Sequence, residues 1–124
     1  MTYEWRDAPE GPRYAVLGDP VAHSLSPDMW TAAFALCGLD DSYVRIRVPE
    51  DEFSEAIDRL RTLGYRGVNA TVPLKAEAYA AARFRDDAAE RAAAVNTLSL
   101  LDDRGWLTDT RGFLALVEGA ADPI

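Results

Sequence analysis

An α/β fold is the architecture that this sequence predicts, with three layers, a mainly parallel sheet between helices, and one antiparallel strand near a C-terminal hairpin. Short β-prone segments alternate with helical segments along the 124 residues, a pattern typical of parallel sheets that are covered on both faces. The length fits a single domain, and a composition of 48% hydrophobic and 27% charged residues is ordinary for a globular protein. We therefore predict one compact domain over residues 13–118.

A polar segment precedes the first strand and helix. Residues 1–12 contain two prolines and a glycine, which predicts a flexible arm. Residues 13–17 are β-prone and are followed by Gly-Asp-Pro, which predicts a buried strand and then a loop. A helix is predicted from Ser26 to Cys37, because a serine suited to the N-cap is followed by a proline suited to the first helical position.

The second predicted strand has two different faces. Residues 42–48 alternate apolar and polar side chains, which is the period of a strand. One face carries Val44, Ile46 and Val48, and the other carries Tyr43, Arg45 and Arg47. We therefore expect a half-exposed strand.

Helices and a third strand follow. Residues 52–63 place apolar side chains at helical spacing and end at Gly64, which predicts an amphipathic helix with a glycine stop. Residues 67–72 predict a third short strand. The alanine-rich segments 74–84 and 87–94 predict two further helices, since alanine has the highest helix propensity.

The last part of the chain predicts a hairpin and a helix. Two short β-prone segments, 97–101 and 105–108, are joined by a polar turn. This hairpin would supply the one antiparallel strand. A last helix is predicted over residues 110–118, followed by a tail of helix-breaking residues, 119–124.

Charge and composition argue against several partners and sites. The net charge of -8 argues against nucleic acid and anionic membranes, because both favour clustered Lys and Arg. No apolar stretch approaches the roughly 20 residues that span a bilayer, and the polar start does not resemble a signal peptide, so we predict a cytoplasmic protein. Cys37 is the single cysteine, which predicts no internal disulfide, and no metal site is expected.

Polar side chains follow the predicted strands, at the sheet edge where open α/β folds bind ligands. Ser24 and Ser26 flank a helix N-terminus, whose N–H groups and dipole favour an anion. Asn69 and Thr71 share one face of a strand. Lys75 follows in the first helical turn, where the dipole disfavours a cation and suits the ammonium to proton transfer.

Two more candidates belong to the hairpin region. Asn96 precedes the first hairpin strand, and Asp109 follows the second. Each candidate also has a purely structural explanation: Ser26 and Asp109 are suited to cap helices, Asn96 to make a turn, and Lys75 to lie on the surface. The residues alone therefore predict a polar cleft that favours anions, and they leave the substrate open.

Four segments resemble the substrate-binding domain of the shikimate dehydrogenase family in order and approximate spacing: GDPVAHSLSP, NATVPLK, AAAVNTL and TDTRGF. The resemblance covers Tyr14 to about Val117. It implies the substrate-binding and catalytic domain of an NADP-dependent oxidoreductase, which reduces 3-dehydroshikimate to shikimate in aromatic amino acid biosynthesis.

The same resemblance implies roles for the candidate residues. Ser24 and Ser26 would hold the substrate carboxylate, and Lys75 and Asp109 would be the catalytic pair around the substrate hydroxyl and ketone. Further substrate contacts are implied for Asn69, Thr71 and Asn96. NADP would deliver the hydride in the full-length enzyme.

Two departures from the family pattern affect these expectations. Leu107 stands where the family has Asn, and a second register would put Arg111 at the catalytic position of Asp109. We choose Asp109 because Thr108-Asp109 and Gly112-Phe113 then both match without a gap. No G-x-G-x-x-G follows a predicted strand, so we expect the dinucleotide-binding domain to be absent and the chain alone to bind no cofactor and to be inactive.

Three alternatives stay open at this point. A quinate or amino-shikimate dehydrogenase domain is one, because Leu107 changes the expected surroundings of Asp109. A non-catalytic module that binds a small carboxylate is the second, because a cofactor domain is missing. The third is an interaction domain that forms a homodimer through apolar surface left exposed by that missing domain.

Overall fold

The computed structural model describes residues 1–24 and 42–107. In these ranges one sheet is formed by seven strands: β1 (Thr2–Glu4), β2 (Tyr14–Gly18), β3 (Tyr43–Arg47), β4 (Gly67–Ala70), β5 (Phe84–Arg85), β6 (Thr97–Ser99) and β7 (Arg104–Trp106). The α-helices are α1 (Phe53–Thr62), α2 (Lys75–Ala81) and α3 (Asp87–Ala92). Short 3-10 turns lie at Trp5–Asp7, after β1, and at Glu50–Glu52, before α1.

The strand order of the sheet is β1-β3-β2-β4-β6-β7-β5. Strand β6 is antiparallel to both of its neighbours, β4 and β7, whereas the other neighbouring pairs are parallel. The predicted α/β fold is confirmed in this respect, with a mainly parallel sheet and one antiparallel strand in the hairpin near the C-terminus.

One face of the sheet, which we call the apolar face, packs against α1. Its buried side chains are aliphatic, namely Ala15, Leu17, Ile46, Val68 and Leu98. Helix α1 contributes Phe53, Ala56, Ile57 and Leu60, which recur at helical spacing and lie in the same cluster. Each fully buried Leu or Ile side chain stabilises the fold by about 1.5–3 kcal/mol, so this face supplies much of the stability.

The opposite face, which we call the network face, is polar in part. Cross-strand register places Arg45, Val16, Asn69 and Thr97 in one row across β3, β2, β4 and β6. Tyr43 precedes this row on β3 and is 3% exposed. The prediction of a half-exposed strand is therefore wrong for Tyr43, because β3 lies between β1 and β2 in the interior of the sheet.

The predicted flexible arm is wrong for residues 2–8. Strand β1 pairs in parallel with β3, and Trp5 and Ala8 are buried in the core cluster. The Trp5 indole N–H donates a hydrogen bond to Glu52 at 3.0 Å. Burial of a large aromatic side chain offsets the entropy of ordering the segment, which its proline and glycine content did not indicate.

The predicted helix over residues 74–84 is too long. Helix α2 ends at Ala81, and Phe84–Arg85 forms β5 beside β7. The Arg83 N–H donates to the Asp103 carbonyl at 2.9 Å, so pairing at the sheet edge outweighs the helix propensity of the alanines here. Gly105 permits this packing, since a Cβ at that position would lie 2.7 Å from Ala82 Cβ.

Other predicted elements agree within a few residues, including the strands at 13–17 and 67–72, the helices at 52–63 and 87–94, and the hairpin at 97–108. The helices predicted over 26–37 and 110–118, and the tail 119–124, lie outside the described residues. The prediction of three layers also includes these two helices. The described helices α1, α2 and α3 all contribute side chains to the core cluster on the apolar face. None of the helices within residues 1–24 and 42–107 has the length and apolar character needed to cross a membrane.

Candidate active site

The loops after β2 and β4 lie side by side at the carboxyl edge of the sheet. The Thr71 N–H donates to the Leu17 carbonyl at 2.9 Å, and the Asp19 N–H donates to the Val72 carbonyl at 3.1 Å. Both loops contain a cis X-Pro peptide bond. The two loops therefore form one continuous surface, at the edge where open α/β sheets bind ligands.

Thr71 packs directly against Gly18 at this edge. A Cβ at Gly18 would lie 2.6 Å from the Thr71 methyl carbon, so only a glycine permits this approach. Thr71 is half-buried, and its hydroxyl donates to and accepts from no group within residues 1–24 and 42–107. Its hydroxyl is therefore available to a ligand from the described side of the site.

Asn96 reaches the same edge because β6 is antiparallel. Because β6 runs antiparallel to β4, the residue before β6 lies beside the end of β4, and the Ala70 N–H accordingly donates to the Asn96 carbonyl at 2.9 Å. The Asn96 N–H donates in turn to the Trp106 carbonyl at 2.9 Å. The ends of β4 and β7 and the start of β6 thus meet at one place.

Lys75 begins α2 beside this segment. The Lys75 carbonyl accepts a hydrogen bond from the Val95 N–H at 3.0 Å, which joins the start of the helix to the residue before Asn96. Its side chain is exposed, and no carboxylate among the described residues forms an ion pair with it. An exposed ammonium at the sheet edge is in a position to meet a ligand.

Ser24 is held by a residue that the sequence analysis did not assign to the site. The Arg45 Nε–H donates to the Ser24 carbonyl at 2.7 Å, and the Ser24 N–H donates to the Val21 carbonyl at 3.1 Å. Arg45 lies on the network face of β3 and is half-buried. Its guanidinium brings positive charge close to a turn that was predicted to bind an anion, in a chain whose net charge is -8.

Asn69 is bonded at both ends of its side-chain amide. Its Oδ1 accepts from the Tyr43 hydroxyl, and its Nδ2 donates to the Asn96 carbonyl at 3.3 Å and to Thr97 Oγ1 at 3.1 Å. Thr97 Oγ1 also bonds Asn96 Oδ1 at 3.2 Å. This set of bonds, which we call the relay, runs from Tyr43 through Asn69 and Thr97 to Asn96. Tyr43 and Thr97 were not assigned to the site from the sequence. The bond between Tyr43 and Asn69 crosses β2, which lies between β3 and β4 in the sheet, and a contact of this kind has no local signal.

An ion cluster borders the site at the ends of β1, β2 and β3. The Arg47 guanidinium contacts Glu4 at 2.6 Å and Asp19 at 2.9 Å. Its hydrogen bond to Glu4, and then that to Asp19, raise the pKa of Arg47. The cluster joins β1 to the loop after β2 and leaves carboxylates at that corner, which is unfavourable for a phosphate group.

The structure brings together the predicted residues that it describes. Ser24, Thr71, Lys75 and Asn96 lie on segments that meet at the carboxyl edge, and Asn69 lies one layer below them in the relay. Ser26, Asp109 and the alternative Arg111 lie outside the described residues. Within residues 1–24 and 42–107 no group of three His, Cys, Asp or Glu side chains is arranged to hold a metal ion.

The family model for the shikimate dehydrogenase substrate binding domain matches residues 16–98. The chain is 42% identical over 112 residues to shikimate dehydrogenase (NADP(+)) of Rubrobacter xylanophilus and 44% identical over 108 residues to that of Mesorhizobium japonicum. These alignments cover 87% and 86% of this chain, and 39% of each relative. The chain thus spans less than half the length of these relatives.

A solved structure shows the same likeness. Shikimate 5-dehydrogenase from Thermus thermophilus, in complex with NADP(H) and shikimate, is 38% identical, with a TM-score of 0.73. The alignment covers 90% of this chain and 43% of that protein. The family-model match over residues 16–98 contains Ser24, Thr71, Lys75 and Asn96.

Proposed function

Because the chain belongs to the family of the shikimate dehydrogenase substrate-binding domain, we propose that it is the substrate-binding and catalytic domain of an NADP-dependent shikimate dehydrogenase. Its substrates would be shikimate and 3-dehydroshikimate. The observation that carries the proposal is the meeting of Ser24, Thr71, Lys75 and Asn96 at one edge of the sheet. Hydroxyl, amide and ammonium groups are the donors that a small carboxylate with several hydroxyls requires.

Substrate binding would divide the site into two parts. Ser24 and Ser26 bind the carboxylate by donating from their hydroxyls, with the charge of Arg45 behind the Ser24 carbonyl. Thr71 and Asn96 bind ring hydroxyl groups on the other side. Binding at both ends holds the reacting carbon in one orientation, which lowers the entropic cost of reaction.

Lys75 and Asp109 would act at the reacting oxygen. When the ketone is reduced, the Lys75 ammonium gives a proton to the oxygen on which negative charge develops, and Asp109 accepts a hydrogen bond from the substrate hydroxyl. The exposed position of Lys75 at the start of α2 leaves its side chain able to reach a ligand. NADPH supplies the hydride in the full-length enzyme.

The described residues of this chain do not fit NADP. The loop after β2 is Gly18-Asp19-Pro20, and the Asp19 carboxylate and that of Glu4 lie there, around Arg47. A dinucleotide needs a glycine-rich turn whose backbone N–H groups face its phosphates. We therefore assign the cofactor to another domain of the full-length enzyme.

Leu107 gives no support to a quinate or amino-shikimate substrate. It is half-buried and packs against the core cluster of the apolar face, and its N–H donates to Asp86 Oδ1 at 3.2 Å. This side chain lies on the side of the sheet opposite to Asn69 and Thr97, as the alternation along β7 requires. We therefore favour shikimate over these alternatives.

Titration of the chain with shikimate tests the proposal. We expect the double variant Ser24→Ala/Ser26→Ala to bind shikimate at least tenfold more weakly, since each hydrogen bond to a charged group contributes about 1.5–3 kcal/mol. Ser54→Ala is the control, because Ser54 is an exposed serine on α1. Calorimetric titrations with quinate and an amino-shikimate measure specificity alongside. Equal shikimate affinity in the wild type and the double variant would contradict the assignment.

A further inference from the structure

The direction of the hydrogen bonds in the relay is determined by one backbone group. The Asn96 carbonyl can only accept, and it lies 3.3 Å from Asn69 Nδ2, so this end of the Asn69 amide must be the NH2 group. The opposite end is then Oδ1, which can only accept. The Tyr43 hydroxyl must therefore donate its proton to Asn69.

The same logic extends to Thr97. Its Oγ1 accepts the second N–H of Asn69 at 3.1 Å. Thr97 is 1% exposed, so its own proton needs an acceptor inside the protein. Among the described residues that acceptor is Asn96 Oδ1 at 3.2 Å. Asn96 thus directs its oxygen toward Thr97 and its NH2 group away from it.

We infer that Thr97 is a positioning residue that determines which end of the Asn96 amide faces the ligand. The inference rests on the proposed function, because it concerns how Asn96 meets shikimate. The bond from Thr97 occupies the Asn96 oxygen and so favours the orientation in which the NH2 group points away from Thr97. With Thr97 in place, Asn96 presents a donor, and so it selects oxygen acceptors such as a ring hydroxyl oxygen or a carboxylate.

Tyr43 and Asn69 precede Thr97 in the relay. Asn69 uses both of its N–H groups within the protein, and its Oδ1 accepts from Tyr43. Asn69 therefore also orients Thr97 and the Asn96 backbone. This role adds to the direct substrate contact that family resemblance implies for it, since the Asn69 oxygen can accept a second hydrogen bond.

The test compares Thr97→Val, which keeps the shape and removes the hydroxyl, with Thr97→Ser, which keeps the hydroxyl. The side-chain amide signals of Asn69 and Asn96 are recorded by ¹⁵N NMR on the chain without ligand. We expect Thr97→Val to shift both signals and to broaden that of Asn96, and Thr97→Ser to leave both near their wild-type positions. Shikimate affinity should fall about tenfold in Thr97→Val and recover to within about twofold in Thr97→Ser.

Tyr43→Phe is the second variant, and it serves if Thr97→Val does not fold. Among the residues that the structure describes, Tyr43 donates to Asn69 and is connected to Asn96 through the relay, so a shift of the Asn96 amide signal in Tyr43→Phe supports the inference. Tyr79→Phe is its control, since the Tyr79 hydroxyl bonds Glu90 at the surface. An Asn96 signal that neither Thr97→Val nor Tyr43→Phe changes would overturn the inference.

The ligand-free spectra separate this inference from the proposed function. If the wild type shows the expected amide signals and variant shifts but does not bind shikimate, the proposed substrate is wrong and the relay is supported. If the wild type binds shikimate and Thr97→Val binds it equally well with unchanged signals, the substrate is supported and the positioning role of Thr97 is wrong.

Discussion

On the apolar face of the sheet, Leu17, Ile46 and Val68 are fully buried, and on the network face Tyr43 and Thr97 are almost as deeply buried. The environments differ in chemistry. The apolar side chains contact one another and α1, whereas Tyr43, Thr97 and their neighbour Asn69 are joined by hydrogen bonds with defined donors and acceptors.

This difference separates stability from recognition. Apolar contacts are non-directional, so the apolar face stabilises the fold in proportion to the area it buries. Buried polar groups must each find a partner, and within the described residues every buried side-chain nitrogen and oxygen has one. The network face therefore specifies orientations, and it does so directly beneath the candidate site.

The largest expected effect is on turnover, from Lys75. In a full-length enzyme that contains this domain, Lys75→Ala should lower kcat by about 10²–10⁴-fold, the usual contribution of a positioned acid-base group. The midpoint of thermal unfolding should not change, because Lys75 is exposed. Steady-state kinetics and thermal unfolding of the same samples measure the two quantities.

Arg91→Ala is a matched control, since Arg91 is an exposed basic residue on α3. Combining Lys75→Ala with Asp109→Asn tests whether the pair acts as a unit, in which case the double variant is little worse than the more damaging single variant. Fully additive losses in kcat would show that Lys75 and Asp109 act independently.

The next effect is on stability, from the apolar face. Leu60→Ala should lower the free energy of unfolding by about 2–5 kcal/mol, because it removes a fully buried side chain between α1 and the sheet. Leu101→Ala makes the same chemical change at a residue that is 62% exposed and should alter stability by less than about 0.5 kcal/mol. Urea unfolding followed by circular dichroism measures both. Similar losses in the two variants would contradict the placement of the core.

The smallest effect is a pH dependence that arises from a phenol buried on the apolar side. Tyr65 is buried in the core cluster and donates to the Pro9 carbonyl at 2.9 Å. Burial, and then the charge of Tyr3, raise the pKa of Tyr65. The folded state therefore keeps a proton that the unfolded state loses, so this contribution to stability is complete below about pH 10 and falls as the pH rises above it.

Urea unfolding at a series of pH values between about 9 and 11 checks this sign. Above about pH 10, the free energy of unfolding of the wild type should fall more steeply than that of Tyr65→Phe. The difference should be up to about 1.4 kcal/mol per pH unit. At neutral pH, Tyr65→Phe should be less stable by about 0.5–1.5 kcal/mol, because it loses the bond to Pro9. A Tyr65→Phe variant with the same high-pH loss as the wild type would show that other groups cause it.

Local patterns in the sequence were sufficient to predict several strands and helices. The alternation of residues 42–48, the helical spacing of residues 52–63 and the hairpin around residues 97–108 each correspond to an element of the structure. The candidate residues Ser24, Thr71, Lys75 and Asn96 were identified from motifs that lie just beyond strand ends. Their meeting at one edge follows from the parallel arrangement of β2 and β4 and from the reversal at β6.

By itself, the sequence determined the family, the α/β class and the polar residues at the strand ends, because each depends on motifs or periodicities that span a few residues. Only the tertiary structure decided that residues 2–4 join the sheet, that β5 replaces the end of a helix, and that Tyr43 bonds Asn69. These features depend on contacts between segments far apart in the chain, where the free energy of pairing and burial outweighs local preference. The inferred orientation of the Asn96 amide is a further example, since it follows from donors and acceptors on three different strands.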